Sequence, residues 1–199
     1  MKNSFYWLKA AQQKLISYAL VPIAFASSMA FSVNAMAICD DSDSFVDRAC
    51  SRVSNTWKQG NSDLYIPFHA HHFRYAYTDE EIDRFREDNW GLGYGRSLYD
   101  ADGNWDGVYF MGFLDSNSKP EYTLGYSHQW MWGAPQGLHA GLGYTAFLNF
   151  RSNFFHYFPT PLLLPVASVN YSKVSVNTTF VPGTKGNGNI LFFWSRVGF

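Results

Sequence analysis

Three histidines stand close together in the stretch PFHAHHFRYAY, which begins at Pro67. They are His69, His71 and His72. Histidine is a common metal ligand and a frequent general base in enzymes, so the cluster could bind an ion or contain one catalytic base. The direction in which each side chain points decides between these two kinds of site.

Side chains alternate across a β-strand, and this alternation separates the three histidines. If the stretch is a strand, one face is rich in aromatic residues and the other is small or charged. The aromatic face consists of His69, His71, Phe73, Tyr75 and Tyr77. The other face consists of Ala70, His72, Arg74 and Ala76. An aromatic face is typical of the lipid side of a membrane strand, so we predict that His72 points inward.

A metal site needs ligands that converge on one point. His71 and His72 are adjacent on a strand and therefore diverge, and the sequence shows no Cys-rich or Asp/Glu-rich partner set. We therefore expect no metal site.

The sequence also supplies a carboxylate and a hydroxyl for the same end of the protein. The segment FLDSNSK places Asp115 and Ser116 in a connection two strands beyond His72. A histidine, a carboxylate and a hydroxyl at one rim are the parts of a general-base acyl-transfer site. A plain hydrogen bond between an inward histidine and a carboxylate is the alternative interpretation.

The rest of the chain indicates what positions these groups. Aromatic residues make up 19% of 199 residues, and the net charge of −1 argues against a nucleic-acid partner. Eight segments of about the length needed to cross a bilayer at a tilt alternate with period two. They lie at 68–77, 90–98, 104–114, 120–130, 137–150, 162–171, 173–181 and 189–199.

Long and short connections alternate between these segments, as in outer-membrane barrels. An even strand number places the connections 78–89, 115–119, 151–161 and 183–188 on one side. We predict an all-β fold, an eight-stranded antiparallel transmembrane β-barrel over 61–199, preceded by a short N-terminal amphipathic helix. Aromatic residues at many strand ends favour this fold over a soluble sandwich.

The N-terminal residues have a different character. Basic residues, an apolar stretch and Ala35-Met36-Ala37 predict a signal peptide over 1–37, with a membrane anchor as the alternative. A periplasmic amphipathic helix is expected within 38–60, since apolar positions recur at helical spacing over 41–58. The two cysteines, Cys39 and Cys50, could pair only if Cys39 precedes the helix, and the sequence leaves this open.

Several long segments in order resemble the outer-membrane lipid A palmitoyltransferases, the PagP family. The resemblance runs from about Trp57 to Phe199. The segments are DLYIP at 63–67, DRF and NWGLGYGRS within 83–97, GNWDG at 103–107, FLDS at 113–116, GLGYTA at 141–146, LLPVASVNY at 163–171 and VPGTKGNGN at 181–189.

The resemblance assigns the family's catalytic histidine to His72 and its Asp-Ser pair to Asp115 and Ser116. It implies transfer of a palmitoyl chain from the sn-1 position of a glycerophospholipid to a hydroxyacyl chain of lipid A. His72 would be the general base, Asp115 could orient it, and Ser116 could polarise the ester or act as nucleophile.

The resemblance also implies a route for lipids through gaps in the barrel wall, where prolines interrupt strand hydrogen bonding. Pro67, Pro165 and Pro182 match such positions, whereas Asn89 stands where the family has another proline. Two further residues match family positions. Arg151 is suited to lipid phosphate but could instead be a snorkelling interfacial arginine, and Tyr65 could instead anchor the membrane interface.

A glycine on strand four can form the floor of the family's acyl-chain pocket, and Ser127 stands at that position. We expect Ser127 to favour a chain shorter than palmitate or a less sharp selection, unless other residues form the floor.

We expect the protein to be a monomer in the cell outer membrane, with a glycerophospholipid donor, a lipid A acceptor and no cofactor. An outer-membrane lipid esterase with water as the acceptor and a structural or adhesive barrel are the rival functions.

Overall fold

The computed structural model describes residues 44–134, 137–153 and 156–199. Eight antiparallel strands form a closed barrel in which β1 also pairs with β8. The strands are β1 (Asn61–His72), β2 (Gly91–Tyr99), β3 (Trp105–Leu114), β4 (Pro120–Gly133), β5 (Leu138–Arg151), β6 (Thr160–Tyr171), β7 (Val174–Val181) and β8 (Ile190–Gly198). We call the end that carries the β1–β2, β3–β4, β5–β6 and β7–β8 connections the upper rim, and the opposite end the lower rim. The predicted fold is confirmed.

The described residues include two α-helices: α1 (Phe45–Gln59) precedes β1, and α2 (Asp79–Arg84) lies in the β1–β2 connection. The predicted signal peptide, the first residues of the predicted helix and Cys39 lie outside the described residues, while Cys50 is not a free thiol. No helix in the described ranges is long and apolar enough to span a membrane.

The last residues of α1 are attached to the outer surface of β2. The Arg96 guanidinium donates hydrogen bonds to the carbonyl oxygens of Trp57, Lys58 and Gly60, at 2.6 Å for Trp57 and 3.3 Å for Lys58. The Trp57 ring also meets the edge of Tyr94, with ring centroids 6.3 Å apart. A cation at the C-terminal carbonyls of a helix is favourable, so this contact fixes where the chain enters β1.

The first strand differs most from the prediction. β1 occupies 61–72 rather than 68–77, whereas the other seven strands begin and end within three residues of their predicted bounds. After His72 the chain makes a 3₁₀ turn, Arg74–Ala76. Two side-chain directions predicted by alternation are therefore wrong. Tyr77 was expected on the lipid side but is buried, and Arg74 was expected inside but its side chain is 62% exposed. Strand alternation does not continue through the turn.

A bulge in β1 changes which residues face inward. Asp63, Tyr65 and Pro67 are buried, as strict alternation requires. Pro67 then pairs with Trp194 while His69 pairs with Phe193, so Phe68 is an extra residue in the ladder. The bulge moves the buried positions to Ala70 and His72.

At two places in the barrel wall, the pairing between neighbouring strands stops below the upper rim. The β1–β2 ladder ends at Tyr65 and Gly93, two residues before Pro67. The β6–β7 ladder ends at Val166 and Thr179, one residue before Pro165. Proline has no N–H to donate to a ladder, which is consistent with pairing that stops at these two places.

The lower half of the barrel interior is filled by a polar network around Arg196. Its guanidinium forms a buried ion pair with Asp63 at 3.0 Å, donates to Ser175 at 3.2 Å, and lies 4.9 Å from the centre of the Trp105 ring. Asn170 continues the network, since it accepts from the Arg196 guanidinium at 3.5 Å and donates to the Ser168 hydroxyl at 2.8 Å. A buried polar interior of this kind is stable only while each charge keeps its partner.

We predict that Arg196→Met destabilises the barrel by about 3–5 kcal/mol, because the Asp63 charge would remain buried without a cation. Denaturant unfolding followed by circular dichroism would measure this loss. Arg84→Met, on the exposed helix α2, is the control and should change the unfolding free energy by no more than about 0.5 kcal/mol. Equal effects of the two substitutions would contradict the structural role of Arg196.

Candidate active site

The upper half of the barrel encloses a cavity of about 270 Å³. Its wall is mostly apolar, with Met111, Phe147, Leu162 and Phe192 among the lining residues. Asp115, Ser116 and Arg151 also line it, and all three belong to the upper rim. A mostly apolar cavity with a few polar groups at its mouth suits an apolar chain whose polar end reacts at the rim.

The deepest lining residues on β3 and β5 are Tyr109 and Thr145, which share a hydrogen bond of 2.6 Å. The Tyr109 hydroxyl covers Gly125, where a Cβ atom would lie 2.9 Å from it. Ser127 lies one inward position lower on β4 and is not among the described lining residues. Its hydroxyl is buried and donates to the Tyr144 carbonyl at 3.1 Å.

Asp115 organises the β3–β4 connection. One carboxylate oxygen accepts hydrogen bonds from the backbone N–H groups of Asn117, at 2.9 Å, and Lys119, at 2.8 Å. The other oxygen lies 3.3 Å from Nε of Arg151, which is also 3.4 Å from Glu121. Asp115 is almost fully buried, so its charge depends on these partners.

Ser116 is held next to Asp115 by its backbone. The Ser116 carbonyl accepts a hydrogen bond from the Arg86 N–H at 2.9 Å, which ties the β3–β4 connection to the β1–β2 connection. Asn89 adds a second tie, since its side-chain nitrogen donates to the Leu114 carbonyl at 2.6 Å. The other side-chain atom of Asn89, Oδ1, is buried at the cavity wall and has no hydrogen-bond partner within the described residues.

His72 is fully buried at the top of β1. Its ring stacks on Phe85 with centroids 4.8 Å apart and meets the edge of Tyr77 at 5.4 Å. Nδ1 of His72 is 3.6 Å from Oε1 of Glu87, too long for a hydrogen bond, and no described residue bonds to it. The inward direction predicted for His72 is observed, but the ring lies behind two aromatic rings rather than among the described lining residues of the cavity.

Among the described residues Glu87 is the carboxylate nearest to His72, and nothing in the sequence pattern singled it out. Its backbone carbonyl accepts from the Ala70 N–H at 2.8 Å, and Oε1 accepts from the His72 N–H at 3.2 Å. Partial burial acts to raise the pKa of Glu87, but the His72 N–H and the Arg74 charge outweigh it and hold that pKa below its usual range. In the sequence Glu87 belongs to a charged run, which more often forms a solvated surface.

Tyr65 and Pro182 complete the set of predicted site residues. Tyr65 is fully buried inside the barrel and packs on Tyr109 with centroids 5.5 Å apart, so it does not anchor a membrane interface. Its inward direction follows from its position below the bulge. Pro182 directly follows β7 and lines the cavity.

Comparison with known proteins identifies the family. Residues 52–196 match the model of the family described as "Antimicrobial peptide resistance and lipid A acylation protein PagP". The chain belongs to this PagP family. A relative named lipid A acyltransferase PagP from Methylobacillus flagellatus is 57% identical over 177 residues, covering 89% of this chain and 96% of the relative.

More distant family members cover nearly as much of the chain. A relative of the same name from Enterobacter lignolyticus is 41% identical, covering 94% of this chain and 99% of its own length. One from Bordetella parapertussis is 42% identical, covering 81% and 88%. Among solved structures, the crystal structure of Neisserial surface protein A is similar at 12% identity, with a TM-score of 0.38 over 70% of this chain and 95% of that chain.

We predict that Asp115→Ala loosens the β3–β4 connection. Hydrogen exchange at the Asn117 and Lys119 amides should accelerate by roughly tenfold or more, since each loses a charged acceptor worth about 1.5–3 kcal/mol. The turn at Asp100 is the control within the same variant, because Asp100 accepts from the Asp102 and Asn104 amides in the same i+2 and i+4 pattern. Exchange at these two amides should not change. Unchanged protection at Asn117 and Lys119 in a folded variant would contradict the role of Asp115.

Proposed function

We propose that this protein is a lipid A acyltransferase of the outer membrane, which moves a palmitoyl or similar chain from the sn-1 position of a glycerophospholipid to a hydroxyacyl chain of lipid A. The observation that carries the proposal is the apolar cavity whose mouth is lined by Asp115 and Ser116, in a chain of the PagP family. The cavity would hold the acyl chain, and the ester that carries this chain would then lie at the upper rim.

In the proposed reaction His72 removes the proton of the acceptor hydroxyl as its oxygen attacks the ester carbonyl carbon. The tetrahedral intermediate then collapses, the bond to the glycerol oxygen breaks, and the protonated histidine returns its proton to that oxygen. The products are an acylated lipid A and a lysophospholipid. Ser116, which lines the mouth of the cavity, would polarise the carbonyl or act as a nucleophile.

The reacting arrangement requires movement at the upper rim. Phe85 and Tyr77 cover the His72 ring, so an acceptor hydroxyl can reach it only after one of these rings shifts. Catalytic contacts are often incomplete in enzymes without substrate. Both rings belong to the β1–β2 connection, which lies beside the unpaired part of the β1–β2 ladder.

Lipid entry through the wall is part of the proposal. Pro67 and Pro165 stand beside the two places where strand pairing ends, and Pro182 lines the cavity. Arg151 would meet a lipid phosphate with guanidinium N–H groups other than Nε, which faces Asp115 and Glu121. Tyr65 supports the deep end of the acyl chain through Tyr109.

We predict that His72→Ala reduces acyl transfer by roughly 10²–10⁴-fold, the range for loss of a general base. His69→Ala is the control, because this histidine lies on the opposite face of β1, and it should keep most activity. Mass spectrometry of lipid A after incubation with phospholipid would measure the product. Free fatty acid without heavier lipid A would instead indicate an esterase, and full transfer by folded His72→Ala protein would refute the assignment.

We further predict that Ser127→Gly shifts the enzyme toward longer acyl chains, because the Ser127 side chain occupies space beside Thr145 at the deep end of the cavity. Phospholipids of graded chain length, offered to wild type and variant, would give the profiles. Ser195→Gly is the control, because Ser195 faces outward on β8 between the buried Trp194 and Arg196, and it should leave the profile unchanged. Identical profiles for wild type and Ser127→Gly would mean that Tyr109 and Thr145 form the floor alone.

A further inference from the structure

A second group of ionisable side chains lies on the outside of β1, at the upper rim. His69 and His71 share the outward face, with ring centroids 6.4 Å apart and planes 24° from parallel. Glu87 joins them from the β1–β2 connection, and one ligand atom from each of the three lies within 4.8 Å of the other two. His71 and His72 diverge, as the sequence predicts, whereas His69 and His71 lie on the same face.

The backbone holds Glu87 in this position independently of its charge. The hydrogen bond from the Ala70 N–H to the Glu87 carbonyl fastens the connection to β1 between the two histidines. Oε1 of Glu87 then lies 4.0 Å from Nδ1 of His71. Three potential ligands are thus carried by one strand and by a segment bonded directly to that strand.

We propose that His69, His71 and Glu87 form a binding site for a divalent transition-metal ion such as Zn²⁺. Two imidazoles and a carboxylate are a common three-residue ligand set for zinc, with a fourth position left to water. Tetrahedral zinc with bonds of about 2.0–2.2 Å needs ligand atoms roughly 3.4 Å apart. Side-chain rotations that bring the atoms closer by up to about 1.4 Å would complete the site.

The surroundings allow an ion to enter and also define its competitors. The His71 and Glu87 side chains are 42% and 27% exposed, so the site is open. Arg74 is the competing cation, since its Nη2 lies 3.9 Å from Oε1 of Glu87, but its largely exposed side chain can turn away. A carboxylate has two oxygens, so Glu87 can bind an ion through one and still accept the His72 N–H with the other.

Zinc titration of the untagged protein in detergent micelles, in competition with a chromophoric zinc indicator, tests the site. Wild type should bind one Zn²⁺ per chain at micromolar free zinc, and His69→Asn and His71→Asn should each weaken binding at least tenfold. His156→Asn is the matched control, because it removes an exposed histidine elsewhere at the upper rim. Circular dichroism would establish that each variant is folded.

Three results would overturn the site: no zinc bound by wild type, undiminished binding by the doubly substituted His69→Asn, His71→Asn protein, or an equal loss in His156→Asn. Strong competition by Mg²⁺, which prefers oxygen ligands, would also refute a site built on two imidazoles.

The site also has a consequence for catalysis that rests on the proposed function. Zinc would draw Oε1 of Glu87 toward His71 and away from the His72 ring, whose Nδ1 it now approaches to 3.6 Å, while the other oxygen would accept the His72 N–H. Zinc should therefore slow acyl transfer by wild type and leave His69→Asn at its zinc-free rate. Equal inhibition of both proteins would refute this coupling, while the titration tests the binding site without any activity measurement.

Discussion

The upper half of the structure depends on one extra residue in β1. Strict alternation from Asp63, Tyr65 and Pro67 would continue inward at His69 and His71 and would turn His72 outward. Phe68 breaks the alternation, and the same strand therefore presents a tyrosine to the core below and a histidine to the interior above. The bulge lies beside the unpaired stretch of the β1–β2 ladder, so the inward histidine and the gap in the wall occur together.

The barrel interior has a polar lower part and a mostly apolar upper part. Below the pair of Tyr109 and Thr145, charged and amide side chains bond to one another around Arg196, and an apolar chain cannot replace those bonds. Above it, the wall carries mostly apolar groups. The polar network thus sets the depth of the cavity, because it fills the barrel below that level and resists rearrangement.

Strand number and barrel closure could be predicted from the sequence, because period-two alternation persists over most of each strand. The inward direction of His72 could be predicted only by following the alternation from Phe68 onward, above the bulge. The bulge, the 3₁₀ turn and the burial of Tyr77 could not, since each depends on pairing with β8 or on contacts across the rim. Glu87 was hidden for a similar reason. Its importance comes from a backbone hydrogen bond to Ala70, and no residue type encodes that bond.

Glu87 connects the two faces of β1. The strand separates His72 from His69 and His71 by turning them to opposite sides, yet a residue fastened over its end can reach both sides. Because the Ala70 hydrogen bond involves only the Glu87 backbone, its carboxylate can turn between the two histidine groups without unfolding the connection. Its position therefore depends on a small balance of charges, in which Arg74 already takes part. At the proposed zinc site, an ion on the outer surface of β1 would in this way act on the buried His72 through Glu87.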